Sequence, residues 1–432
     1  MKLASLSTLF LSASLLAAAP VPGARASQPA TERWILASQN KDGGFGLYPG
    51  DGSNLLGTFC AVHSLMLLNA DIPSREKIAS FILTKQRPQG GFCNRFGNRP
   101  DQPVLQMTFY AVKTLAALNA LPEDTRAVAD WINGQRVPGG GFLWDYYIAP
   151  DVADKSSTRS AYYAVQALAA MGQSPKNRDS LVAFLNVRQT NSQRKDGSFE
   201  EQDLAPNTEV PQAVGMVFYT GMGLAALKTL GKACPMPGKA AAYLRGAQRK
   251  DGGIGKGLGR YHCYDDRDIS RIQEAYYASL GLSALGERFA DEKGLERWVR
   301  GCLRPDGGFG RRAGDCPPDM EATYQALVTL FFLKAAFPAP EKVASPAREP
   351  DAPAPPFICE QVDAGDPDQV RYLYRIGKPI YDRNIPQGEL AAARALVSWV
   401  NDNMLFCSNW NHSGAQALID GLGACGTQAR SY

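Results

Sequence analysis

A short glycine-centred motif recurs six times through this 432-residue chain. It reads Gln-Asn-Lys-Asp-Gly-Gly-Phe-Gly at residues 39–46, Gln-Arg-Pro-Gln-Gly-Gly-Phe at 86–92 and Gln-Arg-Lys-Asp-Gly-Gly-Ile-Gly at 248–255. Related versions occupy 135–142, 193–199 and 303–310. An aromatic residue precedes each one: Trp34, Phe81, Trp131, Phe184, Tyr243 and Trp298. In five repeats the apolar residue after the glycines follows that aromatic by 11 positions; the fourth, Phe184 to Phe199, carries four extra residues. Successive turns, counted at Phe45, Phe92, Phe142, Phe199, Ile254 and Phe309, lie 47 to 57 residues apart. A period of that size means supersecondary units that bury their apolar faces only against neighbouring copies.

The segments on either side of each turn read as helices of two kinds. Those before it, such as Ala-Val-Ala-Asp-Trp-Ile at 127–132, are amphipathic and belong outside. Those after it contain Phe-Cys-Ala-Val (59–62), Phe-Tyr-Ala-Val (109–112), Tyr-Tyr-Ala-Val (162–165), Phe218-Tyr219, Tyr-Tyr-Ala (276–278) and Thr323-Tyr324. They are apolar on nearly every face, as buried inner helices are. The glycine pair supplies positive φ where an outer helix ends. Asp42, Asp251 and Asp306 suit turn initiation, and the apolar residue after the glycines folds back as a plug. Six outer–inner pairs make either an open solenoid or a closed ring, and periodicity does not choose between them.

The Gln-x-x-Asp-Gly-Gly-Phe-Gly repeat resembles that of the prenyltransferase and squalene-cyclase families, over about residues 28–336. The resemblance implies a mainly α fold: an α/α toroid of six helix pairs over residues 27–337, with inner helices around a central, often aromatic cavity. Tyr110, Tyr163, Tyr219, Tyr277 and Tyr324, taken as recurring at one repeat position, and His63 on the first inner helix are then the candidate ligand-binding residues. The expected occupant is an apolar, isoprenoid-like molecule or a peptide. Prenyltransferase β subunits hold zinc with an Asp-x-Cys and a His. Here Arg271, Gln273 and Glu321 fall at those positions, so no metal site and no cofactor is expected and zinc is unsupported. Triterpene cyclases use an Asp-x-Asp-Asp acid. Tyr-Asp-Asp-Arg-Asp at 264–268 has that spacing reversed and reads as a solvated acidic loop; His262-Cys263 beside it adds only two good transition-metal donors. Three readings stand: a toroid that binds a ligand, a prenyl transferase or terpene cyclase, and a non-catalytic scaffold.

The flanking segments carry different signals. Residues 1–26 combine Met1-Lys2, a mostly apolar run at 9–19 and Ala-Arg-Ala at 24–26, the pattern of a secretory signal peptide. An exported protein, periplasmic or extracellular, is expected, with disulfides allowed. No later run is apolar for long enough to span a bilayer. With 46 basic and 42 acidic residues, no nucleic-acid partner is expected. Residues 338–357 form a Pro/Ala-rich linker, with seven prolines at 338–356.

Residues 358–432 read as a separate unit with helical stretches at 369–375, 387–404 and 413–422. Gly-Leu-Gly-Ala-Cys-Gly-Thr-Gln-Ala-Arg at 421–430, with Ala-Leu-Val-Ser-Trp-Val at 395–400 upstream, resembles the transglutaminase-like family. Gly423, Cys425 and Ala429 meet its Gly-x-Cys-x-x-x-Ala motif. The resemblance makes Cys425 the nucleophile, activated at a helix start. Family members place a His and usually an Asp after it. Neither occurs in the seven residues that follow Cys425 here, and His412 precedes it. The unit is therefore expected to be incomplete, a truncated product or one completed by another chain, and Cys425 to be inactive as given. The nine cysteines leave eight others if Cys425 stays free; Cys359–Cys407 and Cys302–Cys316 are candidate disulfides.

Overall fold

The computed structural model describes residues 30–93, 102–143, 156–190, 195–200, 216–257, 269–314 and 317–335, together with Asp382, Pro386, 405–406 and 422–423. The first seven segments contain twelve helices that alternate between two layers. The outer layer is α1 (Ala30–Leu36), α3 (Arg75–Leu83), α5 (Arg126–Gly134), α7 (Arg178–Thr190), α9 (Pro237–Gly246) and α11 (Glu292–Gly301). The inner layer is α2 (Leu55–Leu67), α4 (Leu105–Ala117), α6 (Thr158–Ala170), α8 (Val217–Thr229), α10 (Ile272–Leu285) and α12 (Met320–Phe332). Each inner helix packs on the next in order, and α12 packs back on α2. The ring is closed, which settles the choice the period left open.

The turn glycines show how the ring is held. Asp42, Asp196, Asp251 and Asp306 each accept a hydrogen bond from the amide two residues on, which fixes the tight turn. The next apolar residue, Phe45, Phe92, Phe142, Phe199, Ile254 or Phe309, is buried completely or nearly so. At the first glycine of the pair φ is positive, +92° at Gly43 and +103° at Gly307. It also abuts the following outer helix: a Cβ on Gly43 would lie 2.5 Å from the Lys77 backbone of α3. A Cβ on the second glycine, Gly44, would strike the Phe81 ring at 2.8 Å. The outer-helix aromatics are thus lids on the turns that precede them. The sixth turn repeats the contact with the first helix, where Gly307 meets Ala30 and Gly308 meets the Trp34 ring. A backbone hydrogen bond from Met320 to Leu47, 2.7 Å, joins the same two repeats.

Ends of the inner helices follow one rule. Asn54, Ser157 and Asp319 cap the starts of α2, α6 and α12 by accepting from the amide three residues on. After each inner helix one residue turns left-handed: Asn69, Asn119, Gly172, Gly231, Gly286 or Lys334. Strands are minimal. Phe142–Leu143 (β1) pairs antiparallel with Ser156–Ser157 (β2), and Leu405–Phe406 (β3) pairs parallel with Leu422–Gly423 (β4).

Three expectations are corrected. In the fourth repeat the glutamine that binds the first-glycine carbonyl is Gln189, through Nε2 to Gly197 O at 2.9 Å, as Gln39 and Gln248 do for Gly43 and Gly252. The four extra residues therefore lie after Gln189, between it and Asp196, and the motif does not begin at Gln193. In the third repeat the motif's first position falls on Arg136 rather than Gln135, since Arg136 bridges Phe142 as Gln39 bridges Phe45 and Gln86 bridges Phe92. Leu422, expected at the end of a helix, is a strand residue, and the rest of the three C-terminal helical stretches lies outside the described residues. Cys302 is buried and its thiol donates to Trp298 O at 3.5 Å, while Cys316, Cys359 and Cys407 lie outside the described residues.

Candidate functional site

Which side chains face the axis is decided by threonines. The buried Phe45, Phe92, Phe199 and Phe309 amides each donate to a threonine hydroxyl on the following inner helix: Thr58, Thr108, Thr220 and Thr323, at 2.9–3.0 Å. These four residues therefore share one register position. Thr58, Thr108 and Thr323 donate in turn to the carbonyl four residues back, 2.7–2.9 Å. The chain of bonds locks the rotation of each helix against its own turn.

In that register the residues expected at one position separate. Tyr110 is two places after its threonine, Tyr324 one place after, and Tyr219 one place before. Matching by tyrosines alone slid two helices along their axes. The innermost layer is instead Phe59, Phe109, Tyr162, Tyr276 and Tyr324. Ring centroids are 5.4 Å apart for Phe59–Phe109, 5.8 Å for Phe109–Tyr162, 5.7 Å for Tyr276–Tyr324 and 5.2 Å for Tyr324–Phe59. Tyr162 and Tyr276 complete the circuit, near enough for their hydroxyls to influence one another. The α8 residue at this level is Gly221, which explains the missing ring: a Cβ there would lie 2.1 Å from Tyr277 O. Phe218 and Tyr219 fill the gap from one turn earlier, Phe218 against Tyr277 at 4.3 Å.

Tyr110, Tyr163 and Tyr277 form the adjoining layer beside Cys60. The Tyr110 and Tyr163 rings lie 6.2 Å apart, and the Tyr110 hydroxyl accepts from Gln106 Nε2 at 2.9 Å. Every ring of this belt is buried. Burial raises the pKa of each of these phenols, to about 12 for Tyr162, so they remain protonated donors. Burial raises the Cys60 thiol as well, reinforced by the Glu321 and Asp319 carboxylates.

Polar groups flank the belt on both sides. Toward the helix starts, Arg159 of α6 stacks on Phe218 at 5.0 Å and reaches the Tyr219 hydroxyl at 3.4 Å. Glu321 of α12, opposite α6 in the ring, takes hydrogen bonds from Arg311 at 3.4 Å and Gln325 at 3.1 Å. One turn past the belt on the other side stand His63 and Lys113, each four residues after a belt phenylalanine. The His63 ring is 4.5 Å from Phe59 and 6.2 Å from Tyr324, and its Nε2 is enclosed without a hydrogen-bond partner. Burial, and then the Lys113 ammonium, lowers the His63 pKa to about 3, so its ring is neutral at physiological pH. Burial lowers the Lys113 amine to about 8. Lys113 does not figure among the residues singled out from the sequence. Its signal is a lone charge within the apolar helix Leu105–Ala117, at the register of His63.

Exposure follows the same layering. Leu56, Gln106, Gln273 and Glu321 before the belt, and His63, Lys113, Ala225 and Leu280 after it, are partly accessible, whereas the belt is closed. The buried belt thus lies between two levels of partly accessible residues. Arg271, Gln273 and Glu321 together supply one carboxylate, already bound by a guanidinium, a donor set that does not fit zinc. No cluster of three His, Cys, Asp or Glu able to hold a metal occurs among the described residues. Residues 262–268 and Cys425 lie outside them. No described helix is long and apolar enough to cross a membrane.

The family model of the prenyltransferase alpha-alpha toroid domain matches residues 10–102, 99–261 and 260–347. No curated protein sequence matches the chain. Among solved structures, Candida albicans protein geranylgeranyltransferase-I complexed with GGPP is similar at 18% identity and a TM-score of 0.49, over 63% of this chain and 82% of that one. The type II terpene cyclase MstE from Scytonema is similar at 15% identity and 0.44, over 71% and 96%. A protein from Actinoplanes is similar at 13% identity and 0.47, over 71% and 98%.

Proposed function

The chain belongs to the prenyltransferase alpha-alpha toroid family, and we propose that its toroid holds an apolar, isoprenoid-like ligand against the aromatic belt. The observation that carries this reading is the closed circuit of buried rings between accessible interior walls. Aromatic faces of this kind bind branched hydrocarbon by contact area. An isoprenoid is favoured over a peptide because the belt is built of ring faces and the Tyr110 hydroxyl already accepts from Gln106 Nε2 at 2.9 Å. What the belt offers is ring faces, with little to pair a peptide backbone.

No zinc-assisted step belongs to this reading, because the carboxylate at the relevant mouth is held by Arg311. We further take residues 1–26 as an export signal and residues 358–432 as a transglutaminase-like unit, supported by the Ala-Arg-Ala segment and the Gly423, Cys425 and Ala429 motif. The test is titration of the full chain, stripped of bound lipid, with farnesol, read by calorimetry and native mass spectrometry. A saturable one-to-one complex is expected, weakened in Tyr324→Ala. No binding at saturating farnesol overturns the reading. Fusion of residues 1–26 to a reporter enzyme active only after export tests the address.

A further inference from the structure

Inside the ring, past the belt, three successive inner helices each present a polar side chain at one level: His63, Lys113 and Gln166 lie four residues after Phe59, Phe109 and Tyr162. The remaining wall at this level is apolar, with Ala225 and Leu280 partly accessible. Farther along the axis come Leu67, Ala117, Ala170 and Ala284, also partly accessible. Most of these are small. Past the aromatic belt the inner helices thus carry a polar arc on one side and, beyond it, small apolar residues.

The polar arc is not self-sufficient. Gln166 donates to the Thr229 hydroxyl at 2.7 Å, so its amide nitrogen is engaged. His63 Nε2 is enclosed and has no partner. Among the described residues Lys113 forms no ion pair, and no carboxylate acts on it. A cation set inside a ring of apolar helices, without a counter-charge, lacks the partner that normally accompanies a buried charge.

We infer that this level of the ring interior is a binding site for the anionic head of an amphiphile, with a carboxylate on Lys113 and the hydrocarbon tail running out along the small apolar residues. Lys113 supplies the charge-assisted hydrogen bond. The assignment rests on the interior-ligand reading and narrows it, from any apolar molecule to one that carries a single anion.

The experiment compares farnesoic acid with farnesol on the full chain at pH 7 by calorimetry. The two share a tail and differ at the head. One charge-assisted bond predicts that the acid binds about tenfold or more tighter. In Lys113→Met and Lys113→Gln that preference should fall to about twofold or less, with farnesol affinity unchanged. Equal affinity in the natural chain, or a preference that survives both substitutions, overturns the head-group assignment while leaving farnesol binding intact. Loss of both ligands in both variants also counts against it. Binding of neither ligand to the natural chain overturns this inference and the interior-ligand reading together.

Discussion

Gly307 lies so close to Ala30 that a Cβ on it would come within 2.3 Å of the Ala30 carbonyl. The contact joins the last turn of the ring to its first helix, and Gly307 adopts a φ of +103° to make it. Gly307→Ala therefore meets both a backbone clash and a disfavoured conformation, and should cost about 3 kcal/mol in urea unfolding. Gly238→Ala, at the start of α9 with nothing within 4 Å of the new Cβ, should be neutral or stabilising by about 0.5 kcal/mol. Equal effects of the two would remove the closure argument.

Thr108 accepts from the buried Phe92 amide at 2.9 Å and donates to Val104 O at 2.9 Å. Thr108→Val keeps the shape and leaves that amide without its acceptor. A loss of about 2 kcal/mol is expected, together with faster hydrogen exchange at the Phe92 amide.

Lys113 has a folded pKa of about 8 against an ordinary 10.5. Between those values the unfolded chain binds more protons than the native one, so this group's contribution to stability rises with pH across that window and is least favourable below 8. Lys113→Met should stabilise the protein at pH 7 by about 1–3 kcal/mol, a gain that shrinks toward pH 10.5. Denaturant melts of both proteins at pH 7 and pH 10 check it.

His63 shows the same sign in acid. Its folded pKa of about 3 lies below the ordinary 6.5, so stability is full above 6.5 and declines as pH falls from there toward 3. His63→Leu should remove about 2–3 kcal/mol of the stability difference between pH 7 and pH 4. An unchanged acid slope would mean that His63 is not buried neutral.

The turns were legible in the sequence because glycine, aspartate and the buried Phe act locally, and their spacing reports the ring directly. Even the outer-helix aromatics, Trp34 to Trp298, were visible as a series, although their role as lids on preceding turns needed coordinates. The register of the inner helices was not legible. A helix apolar on every face carries no phase in its pattern, and tyrosines abound in it, so Tyr219 and Tyr324 aligned with Tyr110 by identity alone. Phase is instead set by distant backbone amides that donate to the hydroxyls of Thr58, Thr108, Thr220 and Thr323. Lys113 was within reach of the sequence, since it follows Phe-Tyr-Ala-Val as His63 follows Phe-Cys-Ala-Val, but a lone lysine in an apolar helix does not by itself show whether it faces the axis.

The two rims of the ring differ in how much they vary. The plug phenylalanine and its threonine are 13, 16, 21 and 14 residues apart in the four repeats that make this bond. On the opposite rim, the passage from left-handed residue to next helix is nearly constant, six residues from Asn69 to Arg75 and again from Gly286 to Glu292. A circle of fixed circumference cannot gain or lose a single helix pair without reopening, so novelty in such an architecture enters as lengthened arches on one edge. That edge can diversify while the staves beneath it stay as they are.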